Sequence, residues 1–232
     1  MNHDYKNIKV IGFDADDTLW VNETFFREGE HRFAELMAPY ETENKVLQEL
    51  LRVELDNLPI YGYGIKGFVL SMMECALELS NKQIGLDTID DILQIGKTML
   101  HKPVELLDGV EEVLSILEPK YRVLLLTKGD LLDQERKLEK SGLSKYIHHV
   151  EVLSEKKEKN YQDLLDNLEI KNEEFLMVGN SLKSDVLPII NIGSKSIHIP
   201  FHTTWIYEEI EIDDKTSYQS LSDIKQILKL LD

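Results

Sequence analysis

The chain has 232 residues, with 26 Lys and Arg against 43 Asp and Glu, a net charge of −17. An anion this strong repels a phosphate backbone and anionic lipid, which speaks against nucleic-acid and membrane-surface partners. A hydrophobic content of 42% is enough for a real core and argues against wholesale disorder.

The first apolar run, Ile8 to Phe13 (IKVIGF), reads as a buried strand and ends in a polar turn at Asp14 to Thr18. Residues 20–102 differ in pattern. Four sets of apolar side chains at helical spacing follow one another there. They contain Phe33 and Met37, Val46 and Leu50, Phe68 and Met72, and Ile92 and Met99. This predicts an all-helical insert whose Met and aromatic residues form its own core. The only cysteine, Cys75, falls in the third set, so neither a disulfide nor a Cys-built zinc site is available.

Beyond the insert, a helical pattern at 109–117 precedes a second strand, Arg122 to Thr127 (RVLLLT). Helices at 131–143, 161–168 and 181–192 then alternate with strands at 148–153, 175–179 and 195–199. An amphipathic tail, 221–231, is expected to pack on the sheet. Strands alternating with helices predict an α/β core with a Rossmann-like parallel sheet covered on both faces. The domain boundaries follow as 1–19 with 103–232 for the core and 20–102 for the helices. The N-terminus lacks a basic segment followed by a long apolar one, and no run approaches the ~20 apolar residues of a membrane span, so the expected location is the cytoplasm.

Chemistry concentrates at the strand ends, where such sheets bind ligands. Asp14, Asp16 and Asp17 crowd three carboxylates into four positions after the first strand. They repel one another unless a cation or donors compensate, and one of them can attack phosphorus. An acidic turn with Asp17 capping the next helix is the competing reading. Thr127, with the N–H groups of Lys128 and Gly129, suits an anion, or else simply starts a helix. Lys156 and Lys157 offer a cation that can offset phosphate and carboxylate charge, or else a solvated helix start. Asn180 and Asp185 offer oxygen ligands for Mg²⁺, with Asn180 or Ser181 as an N-cap the alternative. In the helical insert, the turn Tyr61 to Lys66 is glycine-rich, aromatic and cationic, which makes Tyr63 and Lys66 candidates for contacting substrate, or else is simply an interhelix turn with its tyrosines packed sideways. Pro200 to Trp205, after the last strand, is expected to border the site, with His202 in a structural role.

Taken together, DADDT at 14–18, LLLT ending at Thr127, a lysine at Lys156 and GNSLKSD at 179–185 resemble the four ordered motifs of the haloacid dehalogenase-like hydrolase superfamily. The resemblance covers essentially the whole chain, with the insert similar to a C1-type helical cap. It implies Asp14 as nucleophile forming an aspartyl-phosphate. Asp16 becomes acid for the leaving alcohol and then base for water, with its backbone carbonyl on Mg²⁺. It also implies Thr127, Lys128 and Gly129 on the phosphate, Lys156 balancing charge, and Asp14, Asn180 and Asp185 completing the Mg²⁺ site. The chain departs from the family in two places. Asn180 stands where an Asp is usual, and the usual Lys-Pro pair is replaced by two adjacent lysines, of which Lys156 is chosen by its distance from Tyr161. The implied activity is a Mg²⁺-dependent phosphatase acting on a small phosphorylated metabolite. A 2-haloacid dehalogenase, a phosphomutase and a non-catalytic phosphometabolite-binding regulator are the alternatives. The first is disfavoured by Asp16 and the last by the intact Asp14 and Asp16 pair.

Overall fold

The computed structural model describes residues 5–210 and 218–231. In chain order its main elements are β1 (Val10–Phe13), α1 (Glu23–Met37), α2 (Glu43–Tyr61), α3 (Ile65–Leu79), α4 (Leu86–His101) and α5 (Val110–Leu117). There follow β2 (Arg122–Lys128), α6 (Leu131–Ser141), β3 (His149–Leu153), α7 (Glu158–Asn167), β4 (Phe175–Gly179), α8 (Leu187–Asn191), β5 (Lys195–His198), β6 (Gln219–Ser220) and α9 (Ile227–Leu231). The chain divides into two compact units. One holds residues up to Glu23, Val104–Lys128 and everything from Arg136 on. The other holds Thr24–Pro103 together with Gly129–Glu135.

The first unit is built on a parallel sheet in the order β3-β2-β1-β4-β5-β6. β6 is only two residues long and carries no apolar run, so its sequence gives no strand signal. The register brings Phe13 level with Leu125 and Val178, and Lys128 level with Leu153. The loops after β1, β2, β3 and β4 therefore leave from one edge of the sheet.

Because side chains alternate across a strand, the continuous apolar runs supply both faces. Ile11, Phe13, Val123, Leu125, Leu176 and Val178 face α5 and the C-terminal turns of Ile224 and Ile227. Val10, Leu124, Leu126, Phe175 and Met177 face Tyr161 and Leu165 of α7 and Ile189 of α8. The C-terminal tail thus joins the core on the α5 side.

The second unit contains α1 from Thr24 onward, α2, α3 and α4, around Phe33, Met37, Leu50, Phe68, Met72, Ile92 and Met99. Cys75 lies in this core, and burial pushes its thiol up to about 12, where it is an inert apolar group. The segment Gly129–Glu135, which the sequence places with the sheet, groups with these helices, and there Lys66 Nζ donates to Asp130 Oδ1 at 2.8 Å. Among the described residues, no helix is long and apolar enough to cross a membrane.

Gly12, in the middle of β1, is closely packed between the neighbouring strands. A Cβ there would lie 2.8 Å from both Leu126 Cδ1 and Phe175 Cζ, side chains that are themselves fully buried. Replacing a strand glycine recovers roughly 0.5–1 kcal/mol of backbone entropy, whereas overpacking a core costs about 1–3 kcal/mol. Gly12→Ala is therefore expected to lower the urea unfolding midpoint with an unchanged denaturant slope.

Candidate active site

β1 delivers Asp14 to the sheet edge, where its N–H donates to Val178 O at 2.9 Å on the neighbouring strand end. The chain then makes a tight turn, with Thr18 N and Leu19 N both donating to Ala15 O. That turn returns the Thr18 hydroxyl to Asp14, 3.1 Å from its Oδ2, and the same hydroxyl lies 3.3 Å from Asn180 Oδ1. Asp17 takes a left-handed conformation, φ 62, and its carboxylate accepts the N–H groups of Asn22 and Glu23 at the start of α1. The helix-capping reading of Asp17 and the clustering of Asp14 with Asn180 are thus both present. Burial pushes the Asp17 carboxyl up to about 7, although these donors oppose the shift.

Lys156 lies in the loop between β3 and α7, with its side chain 1% exposed. Its Nζ sits 2.5 Å from Asp14 Oδ1 and 2.7 Å from Asp185 Oδ1. Lys157 instead points to solvent, 3.9 Å from Glu155. One ammonium between two carboxylates leaves a surplus negative charge. Burial, and then the charges of Asp185 and Asp16, push the Asp14 carboxyl up to about 7 against the pull of Lys156. Burial alone would favour the neutral amine of Lys156, but Asp14 and Asp185 outweigh it and hold its pKa well above the ordinary lysine value.

Asp185 is nearly inaccessible, and both its oxygens are engaged. Oδ1 accepts from Lys156, and Oδ2 accepts from Ser181 N at 3.0 Å. These contacts brace Lys156 and the 179–185 loop. Gly179 permits this, since a Cβ there would fall 2.3 Å from the Asp185 carboxyl carbon. The helix expected over 181–192 is in fact a wide π turn, Leu182–Val186, followed by α8. Pro188 has no N–H to offer the Ser184 carbonyl, which accepts the Tyr161 hydroxyl at 3.1 Å instead.

Asp16 faces a different set of partners. Its Oδ1 accepts Trp20 Nε1 at 2.7 Å and Lys137 Nζ at 2.9 Å. Lys137 also donates to Asn22 Oδ1 at 2.7 Å. Thr127, at the end of β2, is buried and its hydroxyl donates to Lys128 O at 3.1 Å. Lys128 Nζ pairs with Glu208, whose Oε2 accepts the hydroxyls of Ser181 at 2.5 Å and Ser184 at 2.6 Å. His198 Nε2 lies 3.0 Å from the Asn180 carbonyl, which fixes the backbone of that residue. Sequence reasoning overlooks Trp20, Lys137, His198 and Glu208. Only Trp20, four residues from Asp16, lies close enough in sequence to signal the contact. Gly129, Tyr63 and Lys66 belong to the helical unit; there Tyr63 is half-buried and Lys66 is exposed and paired with Asp130.

The Thr18 hydroxyl has a single hydrogen, and two acceptor oxygens, Asp14 Oδ2 and Asn180 Oδ1, converge on it. Two such oxygens, one on a carboxyl strained as an anion, form a donor set that fits a hard cation. Among the described residues, no three His, Cys, Asp or Glu cluster as a metal centre. A cation here therefore rests on a mixed carboxylate and amide set.

A family model described as haloacid dehalogenase-like hydrolase matches residues 8–193. Mouse N-acylneuraminate-9-phosphatase is 24% identical over 86% of this chain and 82% of its own length. Glyceraldehyde 3-phosphate phosphatase of Pyrococcus furiosus is 23% identical over 98% of this chain and 94% of its own. The crystal structure of a haloacid dehalogenase-like family hydrolase from Xanthomonas campestris superposes with a TM-score of 0.87 and 38% identity, covering 100% of this chain and 95% of that one.

The Glu208 network predicts a pH signature. Burial by itself would raise the Glu208 carboxyl, but Lys128 and the serine hydroxyls hold it down to about 2, against an ordinary 4.5. A depressed carboxyl stabilises the fold above its unfolded pKa, and that contribution fades as pH falls from 4.5 toward 2. Glu208→Gln should cost up to about 3 kcal/mol at pH 7. Urea titrations of both proteins at pH 7 and near pH 4 should show the gap narrowing at the lower value.

Proposed function

Because the chain belongs to the haloacid dehalogenase-like hydrolase family, we propose that it is a Mg²⁺-dependent phosphatase, hydrolysing a small phosphorylated metabolite through an aspartyl-phosphate. The observation that carries this reading is the buried Asp14 carboxylate held against Lys156, with Asn180 Oδ1 beside it and Asp16 two residues on. The phosphatase names of the mouse and Pyrococcus relatives point the same way.

In this reading Asp14 attacks phosphorus as the alcohol leaves, and Asp16 protonates the departing oxygen. Asp16 then takes a proton from the water that cleaves the aspartyl-phosphate, releasing inorganic phosphate and restoring Asp14. Thr127 and the N–H groups that follow it at Lys128 and Gly129 receive the phosphoryl oxygens. Lys156 offsets the charge of Asp14 and the incoming phosphate, and Asp185 positions Lys156. Asp14, Asn180, Asp185 and the Asp16 backbone carbonyl would hold Mg²⁺, which when bound lowers the negative charge that the attacking carboxylate meets. Tyr63 and Lys66 are assigned to the rest of the substrate, and their alanine variants should raise KM.

Phosphoryl transfer needs mainly positioning and charge stabilisation, which these residues supply. Phosphate release from a panel of phosphate monoesters, with Mg²⁺ and with a chelator, is the test. Asp14→Asn should lose at least about a thousandfold and Lys156→Ala at least about a hundredfold, while the exposed Lys157→Ala stays within about twofold. Undiminished turnover by Asp14→Asn would sink the reading. Halide release from 2-haloacids without phosphate release would favour the dehalogenase.

A further inference from the structure

Asp16 is expected to move a proton twice in each turnover, yet its carboxylate is tethered. Trp20 Nε1 and Lys137 Nζ both donate to Oδ1, at 2.7 and 2.9 Å. Neither donor is loosely placed. Trp20 is completely buried, in the core on the α5 side of the sheet. The Lys137 ammonium is held by Asn22 Oδ1 at 2.7 Å as well as by Asp16, with its side chain 17% exposed. Trp20 is further fixed through its backbone, since its carbonyl accepts Asp17 N at 2.7 Å.

We infer that Lys137, with Trp20, is a positioning residue for the proton transfers, anchoring Asp16 through Oδ1 so that Oδ2 is the atom that gives and takes the proton. A carboxylate oxygen accepts through two lone pairs, and at Oδ1 two donors occupy both. The transferable proton therefore rides on Oδ2. In the first step the Oδ2–H bond breaks toward the ester oxygen as that oxygen takes the electron pair of its bond to phosphorus. At the same time the bond from Asp14 to phosphorus forms. In the second step Oδ2 takes a proton from water as the water oxygen bonds to phosphorus and the Asp14 bond breaks. A free carboxylate can rotate either oxygen into place; an anchored one has a single geometry, and misplacing a catalytic group costs rate steeply.

This rests on the phosphatase reading, and the test separates the two. A poor leaving group needs its proton in the transition state, and p-nitrophenolate hardly does. The ratio of kcat/KM for the fastest primary alkyl phosphate of the panel to that for p-nitrophenyl phosphate therefore reports Asp16 alone. Lys137→Met is expected to lower kcat/KM on the alkyl ester about 10- to 100-fold, part of the roughly 10²–10⁴ that general acid catalysis contributes, and on the aryl ester less than about threefold. Lys137→Arg should restore the alkyl ester to within about threefold, because a cation returns to Oδ1. Trp20→Phe should show the same bias toward the alkyl ester, and Asp16→Asn sets its upper limit. Should Lys137→Met fail to fold, Lys137→Arg and Trp20→Phe carry the comparison. Equal losses on both esters, or no loss, would overturn the Lys137 assignment while the Asp14→Asn control still stands. A wild-type protein that releases phosphate from neither ester would overturn both.

Discussion

A buried ammonium between two buried carboxylates governs this sheet edge. Lys156, Asp14 and Asp185 are almost wholly removed from water. Each would cost several kcal/mol to bury alone. They are tolerated because each satisfies another. Tyr161 and the Ser181 N–H complete the set, with the Tyr161 hydroxyl reaching the carbonyl that Pro188 leaves unpartnered. Replacing Lys156 would strand two carboxylates in a low dielectric, so sequence and geometry are tightly coupled here.

The rest of the arrangement follows from the parallel sheet. Because β1, β2, β3 and β4 run the same way in matched register, residues 14, 127, 156 and 180 leave the sheet together despite their distance in the chain. A second tier comes from β5 and the segment after it. His198 meets the Asn180 carbonyl, Ser196 donates to Asp185 O, and Glu208 takes two serine hydroxyls of the 179–185 loop. This tier explains how a loop that runs into a π turn keeps Asn180 in place. Asn180 brings an oxygen without a charge, while Asp14 already carries more negative surroundings than Lys156 offsets. In the proposed Mg²⁺ site a neutral ligand would ease that repulsion at the expense of cation affinity.

The two acidic positions of the DADDT motif are separated by environment as much as by role. Asp14 looks across to Lys156, Thr18 and Asn180, whereas Asp16 looks to Trp20 and Lys137. Two carboxylates two residues apart thereby keep distinct partners, a condition for one to act as nucleophile and the other as proton carrier. Asp17 is a third case, spent on the first N–H groups of α1.

Periodicity and spacing alone disclose the alternating α/β core, the four helices of the insert and the strand ends on which Asp14, Thr127, Lys156 and Asn180 sit. Apolar repeats and strand-end polar clusters are local signals, written in consecutive residues. The partners of those residues are not local. That Lys156 and not Lys157 turns inward, that Asp185 serves the lysine and that Lys137 reaches Asp16 across 121 positions of chain follow from packing of whole elements. So does the placement of Gly129–Glu135 with the helices. Such pairings depend on which charges burial brings within hydrogen-bond reach, and folding of the entire chain settles that.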